Sequence, residues 1–95
     1  METELDIHEI LFNDVVNGKK TKTTRLGKLK ISSPFHFRSS YTNRKVQVNL
    51  VKTTIQKYNI DMEMDVDYDF INDSTTVTII EFKVMWSYLS IFRLL

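Results

Sequence analysis

The chain has no cysteine, a single proline and two glycines in 95 residues. Without cysteine it can form neither a disulfide nor a thiolate metal site. His8 and His36, the only histidines, are too few for a structural zinc centre, so no metal and no cofactor is expected. No apolar run approaches the ~20 residues of a membrane helix. The first acidic residues, Glu2, Glu4 and Asp6, stand where a secretory signal would be basic and then apolar. The expectation is a cytoplasmic protein that does not enter the membrane. The length leaves room for one domain, 1–95.

The most informative scarcity is of acid. Between Val15 and Ile60 there is no Asp or Glu, while Lys19, Lys20, Lys22, Arg25, Lys28, Lys30, Arg38, Arg44, Lys45, Lys52 and Lys57 fall in that stretch. Glu2, Glu4, Asp6, Glu9 and Asp14 precede it, and Asp61, Glu63, Asp65, Asp67, Asp69 and Asp73 follow. The net charge of +1 therefore hides a segregation. A basic block of this size is an electrostatic footprint for a polyanion. The competing reading is that the acidic flanks fold back and neutralise it. The balanced totals weigh the two evenly.

Leu5, Ile7, Ile10, Leu11, Val15 and Val16 fall roughly at helical spacing, which predicts a helix over residues 5–17. Gly18 stands where a C-terminal cap belongs. The rest reads as strands. Phe35 and Phe37 alternate with His36 and Arg38, and Val46, Val48 and Leu50 alternate with Gln47 and Asn49. Ser32-Ser33-Pro34 and Ser39 to Asn43 read as breaks. Acidic and apolar residues alternate from Asp61 to Phe70, which predicts a strand. A turn at Asn72-Asp73 would then join it in a hairpin to the β-rich run Thr75 to Met85. The apolar tail, 86–95, has three readings: a continuing strand, a short packed helix, or a contact for a homodimer.

The segment Gly18-Lys19-Lys20-Thr21-Lys22-Thr23-Thr24-Arg25 follows the helix directly. It lacks the two glycines of a Walker loop. A glycine lets backbone approach a ligand closely, and Lys19, Lys20, Lys22, Arg25 and Lys28 can hold anions. The bland alternative is a solvated basic loop. The spacing Gly-x-Lys-x-x-(Glu or Thr)-x-Arg after a short helix resembles the signature of the ASCH domains, which are PUA-like β-barrels. Gly18, Lys20, Thr23 and Arg25 occupy its four positions. Thr at the third position is similar to the small bacterial N4-acetylcytidine amidohydrolases of that group. Arg44 to Ile60 resembles the strand and Thr-rich run that follow the central turn there, and Ile79 to Lys83 resembles the closing strand.

The resemblance implies an α+β, mainly β architecture: a small PUA-like barrel with one N-terminal helix. It implies RNA or a nucleoside as partner, bound in a cleft of the barrel. For the amidohydrolases it also implies a catalytic Lys, Thr and Glu. Lys20 and Thr23 match by position. Glu63 is assigned as the third because it is the only glutamate in its segment, with Asp65, Asp67 and Asp69 as rivals. The chemistry is coherent. A Thr hydroxyl attacks an amide carbonyl only when a base takes its proton. A Lys acts as that base when desolvated or crowded by cations such as Lys19, Lys22 and Arg25. A carboxyl group then protonates the leaving nitrogen.

Two other features have blander readings. The acidic ladder of 61–69 has divalent-cation spacing, yet a charged alternate face is more often the wet side of a hairpin. Phe35, Phe37 and Tyr41 could stack on bases, although core packing is the better reading for them. Two further function classes stand beside the amidohydrolase: a non-catalytic RNA-binding module, and a protein-binding inhibitor of the kind small phage-like genomes encode.

Overall fold

The computed structural model describes residues 3–62, 64 and 71–85. Its elements are β1 (Glu4–Ile7), α1 (Glu9–Val16), β2 (Lys22–Leu26), β3 (Phe35–Ser39), β4 (Lys45–Lys57) and β5 (Thr76–Val84). The strands form one sheet in the order β1-β3-β4-β5-β2, strongly curled into a half-barrel. Among the described residues the fold is mainly β with one short helix.

The N-terminal expectation needs correction. Residues 4–7 are a strand, and the helix begins only at Glu9. Leu5 and Ile7 alternate with Glu4 and Asp6, so the same apolar residues satisfy period two as well as a helical stripe. Pairing decides between them: β1 runs parallel to β3, with Glu4 opposite His36 and Asp6 opposite Arg38. Glu4 and Asp6 thereby meet the Arg38 guanidinium, at 3.4 and 2.9 Å. His8 caps the helix, its Nδ1 accepting from the N–H of Ile10 at 3.3 Å.

The C-terminal end of α1 follows the sequence signal. Gly18 adopts φ 75°, in the left-handed region that glycine enters without penalty. Its N–H bonds the Val15 carbonyl and the Lys19 N–H bonds that of Asp14, the paired closure of a Schellman cap. The Lys20 N–H shares the Asp14 carbonyl.

The core lies on the concave face beneath the helix. Phe12 and Val15 from α1 meet Ile7, Phe35, Phe37, Val48, Ile80 and Phe82 from the sheet. Phe35, Phe37 and Phe82 form an aromatic cluster with ring centroids 4.8–6.2 Å apart, in the edge-to-face range that aromatic quadrupoles favour. The packing reading of the two phenylalanines is thus correct, while Tyr41 is 85% exposed at the turn after β3.

The expected hairpin is also rearranged. The turn is present: the Thr75 N–H bonds the Asn72 carbonyl and the Ser74 N–H bonds the Asn72 side chain. The strand that follows it pairs, however, with β4 on one side and β2 on the other. Both edges of residues 77–81 are therefore filled, leaving no room there for an Asp61–Phe70 strand. Residues 63 and 65–70 lie outside the described residues, as does the tail 86–95. Asp61 sits in a turn closed by a bond from the Met62 N–H to the Asn59 carbonyl.

Strand β4 carries an irregularity. Leu50 pairs with Phe82 and Lys52 with Glu81, so Val51 is an extra residue. Such a bulge changes which residues of a strand face inward. Val46, Val48 and Leu50 turn toward the core before it, and Lys52 turns outward after it.

The turn joining β3 to β4 is tied to the helix. Fully buried Ser39 donates its hydroxyl hydrogen to Glu9 and accepts from the N–H groups of Tyr41 and Thr42, each at 3.3 Å. Glu9 also accepts from the Thr42 hydroxyl at 2.9 Å and from the Arg44 guanidinium. Arg44 reaches Asn13 at 2.9 Å and lies over the Phe12 ring at 5.1 Å. The Ser39 hydroxyl, then Arg44 and Thr42, hold the Glu9 carboxyl below its ordinary pKa. A depressed carboxylate stabilises the fold above the unfolded-state value of ~4.3 and loses that contribution as pH falls through the folded-state value. Glu9→Gln is expected to unfold at lower urea than the unsubstituted protein at neutral pH. The gap should close as the pH drops below about 4, and a gap independent of pH would exclude this role.

Candidate functional site

Strand β2 follows the helix cap, and its residues divide between the two faces of the sheet. Thr23, Thr24 and Arg25 are all buried between exposed Lys22 and Leu26. In register, Thr23 lies opposite Ile80 and Arg25 opposite Thr78, whereas Lys22 lies opposite Glu81 and Thr24 opposite Ile79. Directly opposed residues of an antiparallel pair share a face. Ile80 belongs to the core, so Thr23 and Arg25 face the concave interior and Lys22 and Thr24 the convex side. The bland reading of a solvated loop holds for Lys19 but not for β2, where Lys22 is exposed on a strand and Thr23, Thr24 and Arg25 are buried.

Arg25 is 7% exposed. Its Nε donates to the Thr23 Oγ1 at 3.1 Å and its Nη1 to the Asp6 carbonyl at 2.8 Å. Its Cζ lies 6.0 Å from the Phe37 ring centroid, within the range of cation–π attraction. Burying a guanidinium is costly unless its donors are matched. Here the match spans the molecule: β1 and β2 are the two edges of the sheet, and Arg25 links one to the other. Thr23, 1% exposed, is the second acceptor of that link.

The loop after β2 is fixed to the same interior. Gly27 takes φ 87°. The buried Thr78 hydroxyl donates to the Gly27 carbonyl at 2.7 Å and accepts from the Leu29 N–H at 2.9 Å. Leu29 and Ile31 pack against the core, while Lys28 before them and Lys30 between them are exposed.

The expected site residues fall as follows. Thr23 and Arg25 are brought together. Gly18, Lys19 and Lys20 form the cap and its continuation, with Lys20 half-buried just ahead of the strand, where the Thr21 carbonyl accepts from the Phe82 N–H. Lys22 points away from Thr23, and Lys28 is on the exposed loop. Glu63 lies outside the described residues. Among the described residues no group of His, Asp and Glu could hold a metal ion, and no helix is long and apolar enough to cross a membrane.

What sequence reasoning missed is the acceptor of Arg25. It is a main-chain carbonyl, and a backbone oxygen leaves no residue-type signature. The Glu9–Ser39–Arg44 cluster was equally hidden, since nothing in spacing links residues 30 and 35 positions apart.

Of the two readings of the basic block, the folding-back of the acidic N-terminal flank holds for part of it. Arg38, Arg44 and Lys45 are paired with Glu4, Asp6 and Glu9 of the N-terminal flank. Comparison of the chain with family models, with curated proteins and with solved structures finds no match.

Arg25→Met is expected to destabilise the protein by roughly 2–4 kcal/mol in urea unfolding, because it removes the bonds to the Thr23 hydroxyl and the part-buried Asp6 carbonyl and separates the sheet edges. Arg25→Lys should recover only part of this, since one ammonium lacks the fork that reaches both acceptors. Unchanged stability in Arg25→Met would leave Arg25 a surface-type ligand contact.

Proposed function

We propose that the chain is an ASCH-like, PUA-like module that recognises RNA or a modified nucleoside at the Gly18–Arg25 segment. The observation that carries this reading is the inward turn of Thr23 and Arg25. A Thr- and Lys-rich segment that would otherwise be wet contributes two hydrogen-bonding side chains to the concave interior of a curled sheet. A nucleobase is recognised by polar groups of this kind set in an apolar wall. The curled sheet with its single short helix is compatible with a PUA-like barrel, and the motif Gly18, Lys20, Thr23, Arg25 supplies the resemblance.

Hydrolysis of the N4-acetyl amide is the second reading. In it Lys20 takes the proton of the Thr23 hydroxyl, Thr23 attacks the carbonyl, a carboxyl group, assigned to Glu63, protonates the departing amine, and water then cleaves the acetyl-Thr23 ester to acetate and the free hydroxyl. Thr23 is 1% exposed and accepts a bond from Arg25, so recognition and catalysis at this hydroxyl both require that ligand entry uncover it.

Incubation with N4-acetylcytidine, followed by assay for cytidine, separates the two. Release abolished by Thr23→Ala and by Lys20→Ala, with the fold intact, is the result expected of hydrolysis. Binding of acetylcytidine or RNA that these substitutions weaken, without release of cytidine, is the result expected of recognition alone. Binding and release both indifferent to Lys20 and Thr23 would remove this segment as the site.

A further inference from the structure

The convex face of the sheet carries three lysines that one carboxylate offsets only in part. Across β2, β5 and β4 the register sets Lys22, Glu81 and Lys52 in one row. Lys83 stands two residues along β5 from Glu81, on the same face, opposite Asn49. Lys22, Lys52 and Lys83 are all exposed. Among the described residues none of the three enters an ion pair, in contrast to Arg38, Arg44 and Lys45. Three lysines thus surround one carboxylate on a stiff, hydrogen-bonded surface. The outer two of the row are about 10 Å apart, two inter-strand spacings.

We propose that this convex row is a phosphate-binding track, and that the polymer it takes is an RNA duplex or the duplex part of a folded RNA. Three features point to backbone contact. Lysine is a point charge suited to phosphate and indifferent to base identity. The neutral neighbours Asn49 and Thr54 on the same face can bond phosphate or sugar oxygens. Among the described residues the face offers no exposed aromatic ring, which a single strand would need for base stacking. An A-form helix, by contrast, is held through phosphates and 2′-hydroxyls. The inference rests on the RNA reading of the preceding section and adds to it. Lys22 and Thr23 are adjacent and face opposite ways, so β2 would serve a polymer track on one side and a nucleoside site on the other. The substrate class is then a nucleotide within structured RNA.

The test measures binding of a labelled RNA duplex of mixed sequence by fluorescence anisotropy, between about 50 and about 200 mM salt. With three phosphates neutralised, affinity should fall about 40-fold over that range, following a slope near −0.9 per contact. The triple variant Lys22→Gln, Lys52→Gln, Lys83→Gln should bind weakly and lose nearly all of that slope. Glu81→Gln should bind more tightly than the unsubstituted chain, which a merely unfolded variant could not do. No duplex binding, or the same slope in the triple variant, overturns the proposal. Equal, lysine-dependent binding to vesicles of equimolar phosphatidylcholine and phosphatidylserine also overturns it, in favour of a membrane surface. If the Lys20 and Thr23 substitutions weaken RNA binding and the convex triple does not, this inference fails while the nucleoside site stands. The reverse pattern supports the track and removes the site.

Discussion

One buried guanidinium holds the curled sheet together at its open side. The strand order places β1 and β2 at opposite edges, and curling brings these edges face to face without a ladder of main-chain bonds between them. Arg25 supplies the connection, from a side chain on β2 to a carbonyl on β1. The chain between these two points, 19 residues long in sequence separation, contains the whole helix and its glycine cap. The helix is thus set on the core by a loop closed at both ends. Phe37 beneath the guanidinium joins this closure to the aromatic cluster. A charge inside a small protein is tolerated when its donors are used, and here Nε and Nη1 go to the Thr23 hydroxyl and the Asp6 carbonyl.

The distribution of ion pairs follows from the same geometry. β1 must lie beside β3 for its carbonyl to reach Arg25, and that placement carries Glu4 and Asp6 to Arg38 and Lys45. Glu9, at the start of the helix, is carried to the following turn and to Arg44. Acid from the N-terminus is therefore consumed on the β1–β3 side. The β2–β5–β4 side receives only Glu81 among the described residues, so a sequence close to neutral yields a surface with one compensated and one basic region.

How much of this was legible depended on whether a pattern admits one structural answer. Phe35 to Arg38 and Val46 to Leu50 alternate cleanly, and both are strands with the expected face inward. Gly18 followed by lysines after an apolar stripe announced a cap, and the cap is there. Leu5 and Ile7 fit two periods at once, and only the long-range pairing with β3 decides for the strand. The hairpin expectation failed for a related reason. Asn72-Asp73 marks the turn correctly, but turn chemistry does not name the strand that will lie beside the next one. The partner is β4, which runs on to Lys57 through a polar, Thr-rich stretch. The burial of Thr23 and Arg25 was least legible. A Lys- and Thr-rich segment looks wet, and what draws it inward is a carbonyl that every residue possesses.

The extra residue Val51 governs more than the bend of one strand. Along β4 the even-numbered side chains point inward up to Leu50, and from Thr53 the register sets the odd-numbered ones on the face of Ile80, where Thr53 and Ile55 are exposed. Odd and even exchange roles at a single amino acid. Had the strand kept its count, Lys52 would continue the inward set begun by Val48 and Leu50, an ammonium aimed at the hydrocarbon interior. The convex row of lysines and the dry concave core therefore share one origin. It is a miscount of one in the alternation, and it assigns each half of the same strand to a different solvent.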